Sequence, residues 1–168
     1  YSGTTTEFSI GNTVVYKNIE LTIDSININA FRNNTKMTKM VVDCNHSLPS
    51  HMASGCSFMD ALIITANVGN IGQYAFQNCY SLENVTIKNN GTIGVSAFES
   101  SSTKNPATYV ISNVGLIDES AFANCTNIDT IQVDAIVPPT IAATSFDKVS
   151  RDIEFIVPEE ARNAYAEH

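Results

Sequence analysis

Apolar residues recur along this chain in one compound pattern, clearest at Ile71, Ala75, Phe76, Cys79, Leu82, Val85 and Ile87. As a template it reads Ile-x3-Ala-Phe-x2-Cys-x2-Leu-x2-Val-x-Ile. It returns almost unchanged at Ile117, Ala121, Phe122, Cys125, Ile128, Ile131 and Val133. Another copy runs through Ile26, Ala30, Phe31, Asn34, Met37, Met40 and Val42, with Asn in the Cys slot. Leu48, Met52, Ala53, Cys56, Met59, Leu62 and Ile64 form a further one, in which Ala-Phe has become Met-Ala. Ile93, Ala97, Phe98 and Ser101 open a copy that closes on Tyr109 and Ile111 after a two-residue insertion between Ser102 and Thr108. Ile141, Ser145, Phe146 and Val149 open the last, which closes on Ile153, Phe155 and Val157. The first slots, at 26, 48, 71, 93, 117 and 141, are 22, 23, 22, 24 and 24 residues apart.

A fixed period in the low twenties predicts a solenoid, because no single unit of that size buries its own apolar face. The end of each copy alternates, as in Leu62-Ile63-Ile64, and predicts a short strand whose first and third side chains point inward. Stacked coils then pair equivalent strands in parallel, and each interior slot becomes a column of like residues. Ala-Phe is expected in a short helical turn, Phe filling the core and Ala letting the backbone approach. The Cys slot calls for a small apolar side chain, and Asn34 or Ser101 there needs a hydrogen bond to backbone.

The two ends need caps against an exposed apolar face and an open strand edge. Phe8 to Tyr16 reads as a hairpin turning at Gly11-Asn12, and Ile19, Leu21 and Ile23 as one more inward-alternating strand. At the other end Pro158, Glu159 and Glu160 read as a helix start. A helix over 159–167 would face the last coil with Ala161, Ala164 and Tyr165. The expected organisation is a single domain, with residues 1–25 as N-terminal cap, 26–157 as repeats and 158–168 as C-terminal cap. Turn-rich linkers fall at 67–70, 88–92, 112–115 and 134–140, the last holding Pro138-Pro139.

Composition fits a repeat core: 43% hydrophobic residues, only 15% charged, and no Trp. The net charge of −8 without a basic cluster argues against nucleic acid and anionic membrane as partners. No apolar run reaches the roughly 18 residues of a spanning helix, and no signal peptide is present; an exported protein would have lost its targeting segment upstream of Tyr1.

Ile71-Gly72, Ala75-Phe76, Cys79, Leu82, Val85 and Ile87 carry a resemblance to BspA-like leucine-rich repeats, whose hallmark is I-G-x-x-A-F-x-x-C-x-x-L-x-x-V-x-I. Ile93-Gly94 matches its opening, and the stretch from Val157-Pro158 to Tyr165 is similar to the way such arrays close. The resemblance covers about residues 26 to 165. It implies a leucine-rich-repeat solenoid of about six coils, export to the outer surface of a gut or oral anaerobic bacterium, and binding of host or bacterial macromolecules. It carries over no catalytic residue and no cofactor.

Few residues suggest chemistry. Cys56, Cys79 and Cys125 share one slot and read as buried, reduced core cysteines; a Cys56–Cys79 bridge between adjacent coils, or Cys44 with Cys56, stays open. Cys44, His46, His51 and Cys56 have metal-ligand side chains, but the spacing C-x-H-x4-H-x4-C matches no common zinc pattern, so no metal is expected. Asp118-Glu119 and Glu159-Glu160 are sequence neighbours that point differently, and no nucleophile elbow or phosphate loop appears. A β-helix polysaccharide-processing enzyme would want charged residues in one outward column on successive coils, which is not found.

Surface remains. The outward strand slot reads Thr22, Val41, Ile63, Thr86, Val110, Gln132 and Ile156, more apolar than a solvated strand face needs, with Asp43, Thr65, Lys88, Ser112 and Asp134 on its C-terminal side. Such a ladder with a polar rim suits a protein partner, although Val and Ile also simply favour strands. The expectation is a non-enzymatic module for adhesion to host or bacterial protein, with a glycan-binding module or a structural spacer as alternatives. For glycans the aromatic candidates are Tyr74 and Tyr80, both near the turn side.

Overall fold

Period and alternation translate directly into backbone pairing. The computed structural model describes residues 6–65 and 68–166. In chain order the strands are β1 (Glu7–Ile10), β2 (Thr13–Tyr16), β3 (Ile19–Thr22), β4 (Lys39–Val42), β5 (Ala61–Ile64) and β6 (Asn84–Ile87). They continue with β7 (Thr92–Ile93), β8 (Ala107–Ile111), β9 (Leu116–Ile117), β10 (Ile128–Val133), β11 (Thr140–Ile141) and β12 (Glu154–Ile156). Strands β1, β4, β5, β6, β8, β10 and β12 form one seven-stranded sheet in that order, parallel throughout. The first slots make a second parallel ladder: Leu48 bridges Ile71, Ile71 bridges Ile93, and β7, β9 and β11 continue it to Ile141.

The third side of each coil is a turn arm carrying the Ala-Phe pair, and here the expected helical turn takes a different form. It is a run of single turns in which alternate N–H groups bond within the coil and to the next. Ala75 and Gln77 donate to Gly72 O at 3.3 Å and Tyr74 O at 3.2 Å, while Phe76 and Asn78 donate across to Ala97 O at 2.7 Å and Glu99 O at 2.9 Å. Left-handed residues at two fixed slots break the helix: Tyr74 and Asn78 have φ of 57° and 60°. His51, Ser96 and Ser120 repeat the first, and Asn33, Ser100 and Asn124 the second. Outside glycine such conformations are uncommon, so their recurrence in phase marks a geometry shared from coil to coil, from which the last coil departs at Thr144.

Inside, the slots queue as columns. Met40, Leu62, Val85, Tyr109 and Ile131 are in register and buried, as are Val42, Ile64, Ile87, Ile111 and Val133. Phe76, Phe98, Phe122 and Phe146 stack ring on ring, at 5.2, 5.3 and 5.2 Å between centroids. Phe31 stands apart from this file because Ala53 holds the slot between; it meets Phe8 edge-on at 5.7 Å instead. Met52, which holds the Ala slot of that coil, is fully buried beside Ala53. In the inserted copy, Ala107 pairs with Ile128, and Tyr109 packs edge-on against Phe98 and Phe122 while its hydroxyl bonds Ser102 Oγ at 2.9 Å.

The Cys slot has a second use beyond fitting. Cys56 Sγ donates to Phe31 O at 3.1 Å, Cys79 Sγ to Ala53 O at 3.4 Å, and Cys125 Sγ to Phe98 O at 3.0 Å. Ser101, the substitute, donates to Phe76 O at 2.7 Å. Each thus reaches the carbonyl of the Phe slot one coil back. Asn34, in the first copy, turns its Oδ1 to its own chain and accepts from Lys36 and Met37 N–H.

The N-terminal end departs from expectation. The hairpin is β2 with β3, antiparallel, reversing at Lys17-Asn18, and not residues 8–16 reversing at Gly11-Asn12. Both turn residues have positive φ, 50° and 63°, which is what a two-residue type I′ turn demands. Asn12 serves instead as a tether, its Oδ1 accepting from Asn45 N–H and its carbonyl from Ile23 N–H. Consequently β1, with Phe8 and Ile10 inward, is the sheet's first strand, and Ile19 and Leu21 are exposed. At the far end a 3-10 turn, Glu159–Ala161, runs into helix α1 (Arg162–Ala166). Ala161 is buried and Tyr165 donates to Ala135 O at 2.9 Å; residue 167 of the expected helix, like Asn67 of the first linker, lies outside the described residues.

Two stability predictions follow from the columns. Phe98→Ala, at the middle of the ring file, is expected to cost about 3–5 kcal/mol, and Phe31→Ala, half-buried near the end, clearly less. Ser101→Cys is expected to be tolerated, whereas Ser101→Val, which leaves the buried Phe76 carbonyl without its donor, costs about 1–3 kcal/mol. Urea denaturation of the four variants checks both orderings.

Candidate interaction face on the seven-stranded sheet

Strand alternation sends every second side chain of the large sheet outward, and parallel register lines these up. The central row is Ser9, Val41, Ile63, Thr86, Val110, Gln132 and Ile156. Thr22, expected at its head, belongs to the hairpin, and Ser9 holds that place because β1 is the edge strand. Six interstrand steps of about 4.8 Å make the row roughly 29 Å long. Ile63 and Ile156 are exposed, at 37% and 41%, while Val41, Thr86, Val110 and Gln132 are half-buried by their neighbours in the row.

Two residues further along each strand lies the second predicted row, Asp43, Thr65, Lys88, Ser112 and Asp134. The ladder holds its backbone firmly: these residues donate to Ile10, Val42, Ile64, Ile87 and Ile111 carbonyls at 2.8 to 3.1 Å. Side chains then fasten one another across coils. Thr65 Oγ1 donates to Asp43 Oδ1 at 2.6 Å, and Ser112 Oγ and Gln132 Nε2 donate to the two oxygens of Asp134 at 2.9 Å each. Lys88 is exposed between these two groups. Every residue expected on this face from Val41 to Asp134 is therefore brought onto one surface, as a row in which Val41, Ile63 and Val110 alternate with Thr86 and Gln132, beside a pre-set polar rim.

Sequence reading missed the opposite rim. Glu7, Lys39, Ala61, Asn84, Thr108, Thr130 and Glu154 make a third outward row, with Lys39 Nζ paired to Glu7 at 3.6 Å. Asp60 and Glu83 precede their strands, and Asp129 is the extra residue where the β8–β10 register shifts. The recurrence of an acid directly before a strand was visible in the sequence.

The other candidate groups do not converge. His46 Nε2 bonds Ile23 O at 2.7 Å, His51 stacks on Tyr74 at 4.8 Å, Cys56 bonds Phe31 O, and Cys44 Sγ faces His46 O at 3.9 Å. Among the described residues no group of three or more His, Cys, Asp or Glu is placed to hold a metal ion. Asp118 Oδ1 accepts from Glu119 N–H within its own turn, and Glu159 and Glu160 are exposed in the 3-10 turn. Tyr74 and Tyr80 lie on the turn-arm side, as does exposed Phe58, whose ring carries Lys104 Nζ at 5.6 Å.

All four cysteines are buried with free thiols. Burial pushes Cys56 up to about 11 and Cys125 up to about 12, and raises Cys79 well above its usual value, with Cys56 and Cys125 in the same column adding to the effect. The thiols of Cys56, Cys79 and Cys125 are therefore protonated and inert rather than nucleophilic.

The fold so described, short parallel strands and turn arms stacked on buried columns, defines a leucine-rich-repeat solenoid. The chain belongs to the BspA-type leucine-rich repeat family, which matches it in six copies over residues 6–129 and 46–163. Repeat domains of this kind are non-catalytic, mediate protein interactions and occur typically in bacterial surface proteins. No helix among the described residues is long and apolar enough to cross a membrane. Comparison with curated proteins and with solved structures returned no match.

A thiol reagent at pH 8 is expected to find none of the four cysteines in the native protein and four after unfolding. In the unfolded chain a thiol ionises near 9.0, whereas folded Cys56 does so at about 11. The folded state thus binds more protons across that window, and stability is full below pH 9 and falls as pH rises toward 11. Urea midpoints at pH 8 and pH 10, for the wild type and for Cys56→Ser, measure the fall and the share that Cys56 contributes.

Proposed function

We propose that this protein is a single, non-enzymatic repeat domain of an exported surface protein that adheres to host or bacterial proteins through the strand face of its solenoid. The repeats span residues 26–157, between end segments 1–25 and 158–168. One observation carries the reading: Val41, Ile63, Val110 and Ile156 lie in one outward row, bordered by side chains already fixed to one another by hydrogen bonds. An apolar strip with a polar rim is the anatomy of a docking surface. Rim groups held in place before binding lose little entropy on docking. The family's role in protein interaction agrees with it.

Tyr80, exposed on the turn-arm side as Phe58 also is, is what a glycan-binding reading rests on; Tyr74, the other aromatic expected to serve it, is half-buried and stacked on His51. That site would be separate from the strand face. A spacer role would leave the domain with no ligand at all.

The test is a panel of purified extracellular-matrix and bacterial surface proteins, screened by surface plasmon resonance beside a glycan array. Binding to a protein on the panel is expected to fall at least about tenfold in Ile63→Lys/Val110→Lys, since a charge at the centre of an apolar contact is left desolvated. Unchanged binding by that variant removes the strand face from the account. Array binding abolished by Phe58→Ala/Tyr80→Ala, with nothing bound on the protein panel, favours the glycan reading.

A further inference from the structure

The charge of this molecule is unevenly distributed, and the unevenness says what kind of segment the strand face accepts. Along the N-terminal edge of the face stand Asp60, Glu83 and Asp129; on its C-terminal side stand Asp43 and Asp134; Glu7 and Glu154 close the two ends of the outer row. Against these seven acids the face has two cations, Lys39 and Lys88. Its formal charge is therefore 2 − 7 = −5, out of −8 for the whole chain. Of the other seven Lys and Arg residues, Lys17 lies on the hairpin, Arg32 and Lys148 lie on turn arms, and Lys104 caps the Phe58 ring.

The acids are also positioned. Asp134 is held by Ser112 and Gln132, Asp43 by Thr65, and Glu83 by Asn105 Nδ2. The donors to Asp134 and Glu83 are neutral, so those bonds aim the carboxylates without cancelling their charge. Two residues of strand separate the apolar row from Asp43 and Asp134, about 7 Å, which is within reach of a lysine or arginine side chain lying along the row.

We propose that the strand face binds an extended cationic segment of a partner protein, laid along the row from Ser9 to Ile156. Its apolar side chains rest on Val41, Ile63 and Val110, and its lysines or arginines extend to the acids on either side. This rests on the strand face being the docking surface and adds the chemistry of what docks there. Complementary charge would fix which segment is accepted and speed its capture, while the apolar stripe supplies contact area. At about 3.3 Å per residue, about nine extended residues cover the roughly 29 Å row.

The test uses two synthetic nine-residue peptides, one alternating lysine with valine and the other glutamate with valine, titrated by fluorescence anisotropy into the full chain. Two triple variants keep shape while removing charge: Asp60→Asn/Asp129→Asn/Asp134→Asn on the face, and Glu119→Gln/Asp147→Asn/Glu159→Gln away from it. The expected result is that the lysine peptide binds and the glutamate peptide does not. Binding weakens about tenfold in the face variant, stays within about twofold in the other, and falls between 50 and 500 mM salt, as screening requires. Equal weakening in both variants would mean that only net charge attracts the peptide, and would overturn the proposal. Binding of the glutamate peptide as tight as that of the lysine peptide, or no binding of either, would also overturn it. In those cases a protein partner whose binding is lost in Ile63→Lys/Val110→Lys would still uphold the strand face as the docking surface.

Discussion

Backbone hydrogen bonding between successive coils is the constraint from which the rest follows. A coil of 22 to 24 residues closes on too little apolar area to hold itself together, so its polar backbone must be satisfied by the coils above and below. The large sheet does this with parallel ladders, and the turn arm does it with alternate N–H groups, such as Phe76 to Ala97 and Phe98 to Ala121. Once spacing is set by the ladder, side chains in one slot must tolerate near-identical neighbours about 5 Å away. Flat rings stacked face to face meet that condition in Phe76, Phe98, Phe122 and Phe146, and small groups that hydrogen-bond back one coil meet it in Cys79, Ser101 and Cys125. The same spacing makes Gly72 sensible, since a Cβ there would stand 2.6 Å from the Leu48 carbonyl oxygen.

Outward, the constraint has the opposite consequence. Side chains facing solvent are drawn into rows as regular as the interior columns, whether or not their chemistry gains from it. Val41, Ile63 and Val110 then fall in one line, with Thr86 between the last two, and Asp134 finds Ser112 of the neighbouring coil as a donor. A solenoid of this kind turns small per-coil preferences into an extended surface, which suits recognition of a long segment better than chemistry on a small one. The candidate metal ligands Cys44, His46, His51 and Cys56 illustrate the difference: Cys44 Sγ faces only the backbone carbonyl of His46, while His46 bonds Ile23 O, His51 stacks on Tyr74 and Cys56 bonds Phe31 O.

Much of this was legible in the sequence, because a repeating slot reports its own environment several times. The columns, the Cys slot with its Ser101 replacement, the outward row from Val41 to Ile156 and the rim from Asp43 to Asp134 all follow from alternation and period alone. What was not legible depended on backbone conformation. Tyr74 and Asn78 adopt left-handed φ, which converts an expected helical turn into a chain of single turns. The chain reverses at Lys17-Asn18 and not at Gly11-Asn12, which the sequence concealed because Lys rarely announces positive φ, and so β1 rather than β3 is the edge strand. The acids before the strands went unnoticed because they lie outside the repeating apolar slots on which the reading was built.

Amide hydrogen exchange followed residue by residue tests the central constraint most directly. If coils are held by bonding on every side, the amides of Phe76, Phe98 and Phe122 in the turn arms are protected to the same degree as those of the flanking strands, β6, β8 and β10. Protection confined to the strands, with these three amides exchanging at the rate of an open loop, would contradict the account.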